Sequence, residues 1–222
     1  MEPPPPIKPM IVNSQLMDWQ PSPSPMVWRK RLYHEGEAES GVVTSIVRYD
    51  PGSQFRSHPH PQGEEILVLE GVFSDEHGDY PAGSYLLNPE GVSHAPYSKT
   101  GCVLFVKLRQ YAGEKRRHIL LNTNEQEWQT TNVKNKKIKP LYQQIGFNDT
   151  TQLERLLAQY SQRRHYPNGA EILVLKGSFL DDHQRYQQGD WLSLPPGFAH
   201  QVHCDEDCEL YLKQDRRKES AA

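Results

Sequence analysis

Two histidines one residue apart, His58 and His60, stand four residues ahead of a carboxylate, Glu64, and a further histidine, His94, follows a Pro-x-Gly turn. Imidazole nitrogens and one carboxylate oxygen together suit zinc, iron, nickel or copper, and manganese is tolerated. Four protein ligands fill a tetrahedral zinc and leave no open position. Iron, manganese or nickel prefers octahedral coordination, which leaves room for substrate, oxygen or water. The same four side chains therefore serve a structural or sensory zinc site or a catalytic centre, and residue type alone leaves both open. Glu65 competes with Glu64 for the carboxylate position. Side chains alternate along a strand, so residues 58, 60 and 64 share a face if pairing is regular. Glu65 then points away and is read as structural. No nucleophile triad or phosphate-binding loop is visible.

The elements that carry these residues are written twice. "GEEILVLEGVFSDEHGDYPAGSYLLNPEGVSHAPY" from Gly63 aligns without a gap on "GAEILVLKGSFLDDHQRYQQGDWLSLPPGFAHQVH" from Gly169, an offset of 106 residues. Gly71 maps to Gly177, Gly83 to Gly189, Pro89 to Pro195, His94 to His200 and Cys102 to Cys208. Upstream, "VNSQLMDWQ" resembles "LNTNEQEWQ" at an offset of 109. The second copy loses the ligand set: His58 becomes Arg164, His60 becomes Tyr166 and Glu64 becomes Ala170, and only His200 remains. His165 is one residue out of register and is expected to face away. Metal is therefore expected in the first copy alone. Glu171, the counterpart of Glu65, persists where the other ligands are gone. His77 and His183 occupy equal positions in both copies, which points to a turn rather than to catalysis.

Short apolar runs bounded by Gly and Pro, such as "EEILVLEGVF", "GSYLLNP", "VTSIVRYDPG" and "CVLFVKLRQY", read as strands. Their regular recurrence predicts a β-sandwich or barrel in each copy. "TTQLERLLAQY" has the leucine spacing of a helix, but the repeat sets it against "VTSIVRYDPG", so a strand is expected there. "EPPPPIKP" reads as a disordered or polyproline leader.

The chain has 222 residues and a net charge of −3. No global field recruits nucleic acid, and the basic clusters "EKRRH" at 114–118 and "DRRKES" near the end read as solvated surface. No apolar run is long enough for a membrane span, and the N-terminus lacks the apolar region of a secretory signal. Three cysteines, Cys102, Cys204 and Cys208, make no disulfide scaffold. The repeat explains Cys208 as the partner of Cys102 in an apolar strand, better than as a metal ligand beside His203. Both are expected to be buried and reduced, and the expected compartment is the cytoplasm.

Gly52, five residues, His58-Pro59-His60, three residues, Glu64, six residues, Gly71 resembles the first cupin motif, and Gly83, five residues, Pro89-Glu90-Gly91, two residues, His94 resembles the second. The final Asn of the second motif falls at Ser98. The wording of the first copy resembles the cupin-like domain of the ChrR anti-sigma factors. The resemblance implies an all-β chain of two tandem cupin (double-stranded β-helix, jelly-roll) barrels: a leader at 1–10, a metal-binding cupin at 11–113 and a degenerate cupin without a metal site at 114–222. It implies one divalent metal per chain held by His58, His60, Glu64 and His94, zinc first, with iron, manganese or nickel as alternatives. It also implies a sensory role in a stress or small-molecule response; the rival is a metal-dependent dioxygenase or related oxidoreductase. Anti-sigma factors of this kind carry an N-terminal helical zinc domain that grips the sigma factor. No such segment precedes the first repeat, which counts against a sigma factor as partner. The expected partners are a small-molecule ligand, with no nucleic acid and no membrane, in a monomer of pseudo-dimeric repeats or a homodimer.

Overall fold

The computed structural model describes residues 8–37, 40–113 and 115–214. Most of the Pro-rich leader, Glu114 of "EKRRH" and the "DRRKES" tail lie outside the described residues. Among those described, the only helical elements are two short 3₁₀ turns, Ser14–Leu16 and Thr123–Glu125, and the rest of the regular structure is strand.

In the first compact unit the large sheet runs Ile119–Asn122, Ser84–Asn88, Glu64–Asp75, Cys102–Leu108, Val42–Tyr49, Val27–Glu35 and Gln20–Pro21, antiparallel throughout. Smaller pairings face it, among them His58–Pro59 against Ser93–His94. Alternation builds the interior: Cys102, Leu104 and Val106 join Ile66, Val68, Phe73 and Leu86 in one buried cluster. The second unit repeats the plan. Met10–Asn13, Asp190–Leu194, Ala170–Lys176, Cys208–Gln214, Thr150–Leu156, Lys136–Tyr142 and Gln129–Thr130 form its large sheet, and Tyr160–Tyr166 pairs with Phe198–Cys204 on the other side. Both units are two-sheet jelly rolls, the architecture the strand spacing predicts. "TTQLERLLAQY" is a strand over Thr150–Leu156, laid against Cys208–Gln214. Sheet pairing on both edges overrides its helical leucine spacing.

The repeats and the compact units have different boundaries. The units are Leu16–Gln126, and Met1–Gln15 together with Glu127–Ala222, whereas the repeats divide near residue 113. The strand that opens each repeat is laid on the sheet of the other copy. Met10–Asn13 pairs with Asp190–Leu194, and Ile119–Asn122 pairs with Ser84–Asn88. The turn after each strand is pinned in the same way. The Ser14 backbone N–H and hydroxyl donate to Gly189 O at 3.0 and 2.7 Å, and those of Thr123 donate to Gly83 O at 2.9 and 2.8 Å.

Candidate metal centre

His58 and His94 face each other directly across the two-residue ladder His58–Pro59/Ser93–His94. His60 follows at the end of that short strand. The chain then turns before Glu64. Gln62 and Gly63 both have positive φ, 59° and 76°, and Gly63 N–H donates to His60 O at 3.1 Å. A Cβ at Gly63 would lie 2.8 Å from the carbonyl oxygens of Asn88 and Tyr111, so the turn needs glycine. The expectation that one regular strand aligns residues 58, 60 and 64 is thus replaced by a tight turn that delivers Glu64 on the next strand.

The nitrogens of His58, His60 and His94 lie within 4.8 Å of one another. Glu64 Oε2 is 3.4 Å from His60 Nε2 and 3.5 Å from His94 Nε2. Metal–ligand bonds of about 2.1 Å set neighbouring ligand atoms roughly 3.0–3.5 Å apart. His60 Nε2 and His94 Nε2 are buried with no hydrogen-bond partner, a state that buried polar atoms avoid. Burial first, and then the charges of His94, His58 and Arg109, lower the His60 pKa to about 3. Burial raises that of Glu64 to about 8, against the hydrogen bond from Asn88 and with the charge of Asp75. At neutral pH the His60–Glu64 contact is therefore not an ion pair. A carboxylic acid facing lone-pair nitrogens fits a dication, which would favour the deprotonated forms of both.

Further residues hold these groups. Asp75 Oδ2 lies 3.2 Å from His94 Nδ1, and Asn88 Nδ2 donates to Glu64 Oε2 at 3.1 Å. His58 Nδ1 sits 2.8 Å from Arg56 O. With Nδ1 engaged at His58 and His94, each Nε2 remains for a metal. Glu65 is buried, accepts a hydrogen bond from Tyr85 Oη at 2.9 Å and stands opposite Lys107 on the neighbouring strand. It is not among these groups.

The second barrel keeps the frame and changes the contents. Arg164 faces His200 as His58 faces His94. Arg164 Nη1 lies 2.8 Å from Glu154 Oε2, and Lys136 Nζ lies 2.5 Å from Glu154 Oε1. Burial alone would raise the Glu154 pKa, but Arg164 and then Lys136 hold it below the ordinary carboxylate value. Asp181 Oδ2 lies 2.9 Å from His200 Nδ1, as Asp75 does from His94. His165 is exposed, as its register predicts.

The profile of the ChrR cupin-like domain matches this chain twice, over residues 8–112 and 116–217. This chain belongs to the ChrR cupin-like family. Comparison with curated proteins found no match. Among solved structures, this ChrR-like bicupin is similar to a candidate dioxygenase from Nostoc punctiforme, at 14% identity and TM-score 0.80 over 97% of this chain and 86% of the other. It is also similar to pirin YhhW from Escherichia coli in complex with nickel(II), at 16% identity and TM-score 0.70 over 95% and 100% of the two chains. A Bacillus subtilis oxalate decarboxylase variant gives 14% identity and TM-score 0.63 over 93% and 77%. At these identities the likeness concerns the fold.

Sequence reasoning missed Asp75 and Asn88 in the bicupin. The signal for Asp75 was present, since "SDEH" and "LDDH" align Asp75 with Asp181. Both His77 and His183 are exposed, and what they contribute is a backbone N–H, donated at 2.8 Å to Asp75 and Asp181. Asn88 differs in kind, because its counterpart is Leu194 and the amide disappears together with the candidate ligands.

Proposed function

We propose that the first barrel of this bicupin binds one divalent metal per chain through His58, His60, Glu64 and His94, and that the metal engages a small molecule, in the sensory manner of ChrR cupin domains. The observation that carries this reading is the convergence of two partnerless, buried Nε2 atoms on Glu64 Oε2. A bound metal would supply a positive centre able to hold an oxygen-bearing ligand. Around it, Glu64 offsets one charge, Asn88 and Asp75 fix the orientation of Glu64 and His94, and the buried walls exclude water. A cavity of about 280 Å³ adjoins His58, His60 and Glu64. It supports a metal that keeps open positions, such as iron, manganese or nickel, over a zinc closed by four protein ligands. The cavity also favours the second reading, a metal-dependent dioxygenase or related oxidoreductase. No helix among the described residues is long and apolar enough to cross a membrane. A cytoplasmic setting fits three cysteines without a disulfide. The proposed partner is a small molecule.

Elemental analysis and X-ray absorption after metal-replete expression test the site. One atom per chain is expected, with nitrogen and oxygen ligands, lost in Glu64→Gln and kept in Glu65→Gln. Two atoms per chain, the second lost in His200→Ala, would overturn it. Substrate-dependent oxygen consumption by iron-loaded protein would select the enzymatic reading.

A further inference from the structure

The two barrels act as each other's control. Register sets Val27, Ser45, Val47 and Tyr49 of the first where Lys136, Gln152, Glu154 and Leu156 stand in the second. In the second barrel Gln152 Nε2 donates to Glu154 at 2.7 Å, and Lys136 and Arg164 pair with the same carboxylate. In the first barrel all four counterparts line the cavity of about 280 Å³. This backbone can fill that space with its own side chains, so the cavity is not a requirement of the fold. An apolar cavity of about 150 Å³ accepts benzene, so the larger one here admits a ring with a short substituent.

Ser45 is the polar group left over in the first barrel. It is only 3% exposed, and its Oγ has no hydrogen-bond partner among the described residues, a state that buried hydroxyls avoid. Gln152, at the corresponding place, has its partner in Glu154. The wall around Ser45 is apolar: Val43 and Val47 line the cavity from its own strand, and Leu104, Val106 and Leu108 from the neighbouring one. Ser45 also stands apart from the metal groups. Glu64 faces Leu108 and Leu108 faces Val43, so Ser45 lies two strands across from Glu64 and two residues along. At about 4.8 Å between strands and about 3.4 Å per residue, their Cα atoms are about 12 Å apart. An oxygen held by Ser45 is therefore not one held by a metal beside Glu64. Arg29 and Arg109 line the cavity as well, but both have other interaction partners, and the chemistry of the Ser45 end is set by the hydroxyl and its apolar surroundings.

We infer that the cavity takes a small molecule with an apolar body and a hydroxyl or carbonyl oxygen, and that this oxygen bonds to Ser45 Oγ, away from the metal groups. A serine hydroxyl can donate to a carbonyl and accept from a hydroxyl, so both functions fit. The inference rests on the reading of the first barrel as a metal centre that engages a small molecule, and it adds the chemical class and the residue that selects it.

Fluorine NMR titration of zinc-loaded protein with 4-fluorobenzyl alcohol, 4-fluoroacetophenone and 4-fluorotoluene tests it, since the three share one ring and differ in the oxygen. All three are expected to bind. Ser45→Ala should weaken the alcohol and the ketone by about fivefold, the scale of one net hydrogen bond, and spare fluorotoluene. Val47→Leu, and independently Val27→Leu, should weaken all three by about tenfold by filling the cavity, with zinc content unchanged. Denaturant unfolding of ligand-free Ser45→Ala should show stability equal to or above that of the parent, because no partner is lost. Failure of the alcohol and the ketone to bind, an equal effect of Ser45→Ala on fluorotoluene, indifference to both filling variants, or clear destabilisation by Ser45→Ala would each overturn the inference. Failure to load zinc overturns the metal reading instead. The same titrations of metal-free protein then decide the ligand: dependence of the alcohol and the ketone on Ser45 would still support it, and its absence would overturn it.

Discussion

The contact between His94 Nδ1 and Asp75 Oδ2, 3.2 Å, determines which face of the imidazole is available. With the proton held on Nδ1, Nε2 presents its lone pair toward Glu64. Asp75→Asn weakens that orientation and lowers the basicity of the ring, so metal affinity should fall by roughly 10- to 100-fold. Asp181→Asn makes the same change beside His200, where no ligand set surrounds the ring, and should leave affinity unaltered. Competition against a chromogenic chelator measures both. A comparable loss in Asp181→Asn would place metal in the second barrel. At the cysteines, burial pushes the Cys102 thiol up to about 11, and Cys208 is raised too, by a hydrogen bond with Cys204 and by burial. The thiolate is the reactive form, so alkylation of Cys102 and Cys208 in the native protein should be slow and should track unfolding. Mass spectrometry of alkylated peptides over time checks this.

Strands Thr150–Leu156 and Tyr160–Tyr166 carry Glu154 and Arg164 into the interior of the second barrel, where Lys136 completes the network. Removing one member of a buried pair leaves an uncompensated charge, so Glu154→Gln should cost about 3–5 kcal/mol. Replacing all three with apolar residues (Lys136→Val, Glu154→Val, Arg164→Leu) should cost far less or stabilise the fold. Denaturant unfolding separates the two outcomes. The pH dependence has a definite sign. The folded-state pKa of Glu154 lies below its ordinary value of 4.5, so its contribution is complete above that pH and is lost as pH falls through the folded value. At this scale most of the architecture was legible in the sequence, because the gapless repeat lets each strand support the assignment of its twin; that is why "TTQLERLLAQY" could be read against its own leucine spacing. The four candidate ligand residues were legible from type and spacing, and the structure brings them together. The geometry that unites them was not, since a tight turn at Gln62–Gly63 depends on close backbone approach from Asn88 and Tyr111. Arg164, Glu154 and Lys136 lie on three separate strands, and only pairing brings them together. Periodicity also cannot say onto which copy an opening strand folds.

For the chain as a whole, the exchange of Met10–Asn13 and Ile119–Asn122 ties the stability of each barrel to sequence from the other repeat. Deleting the chain through Asn13 should loosen Asp190–Leu194 and spare Ser84–Asn88, although the deleted strand precedes the latter in the same repeat. Leu121→Pro should do the reverse, because it removes a ladder hydrogen bond from the strand on Ser84–Asn88. Hydrogen exchange resolved by segment checks both, and faster exchange in a deleted strand's own repeat would contradict the exchanged pairing. The same connectivity has a consequence for cutting the polypeptide. Cleavage near residue 113 would produce two halves, each missing an edge that the other carries. They would behave as complementary fragments, poorly folded apart and restored on mixing, which makes that junction a natural place for a split reporter and a poor one for isolating either barrel.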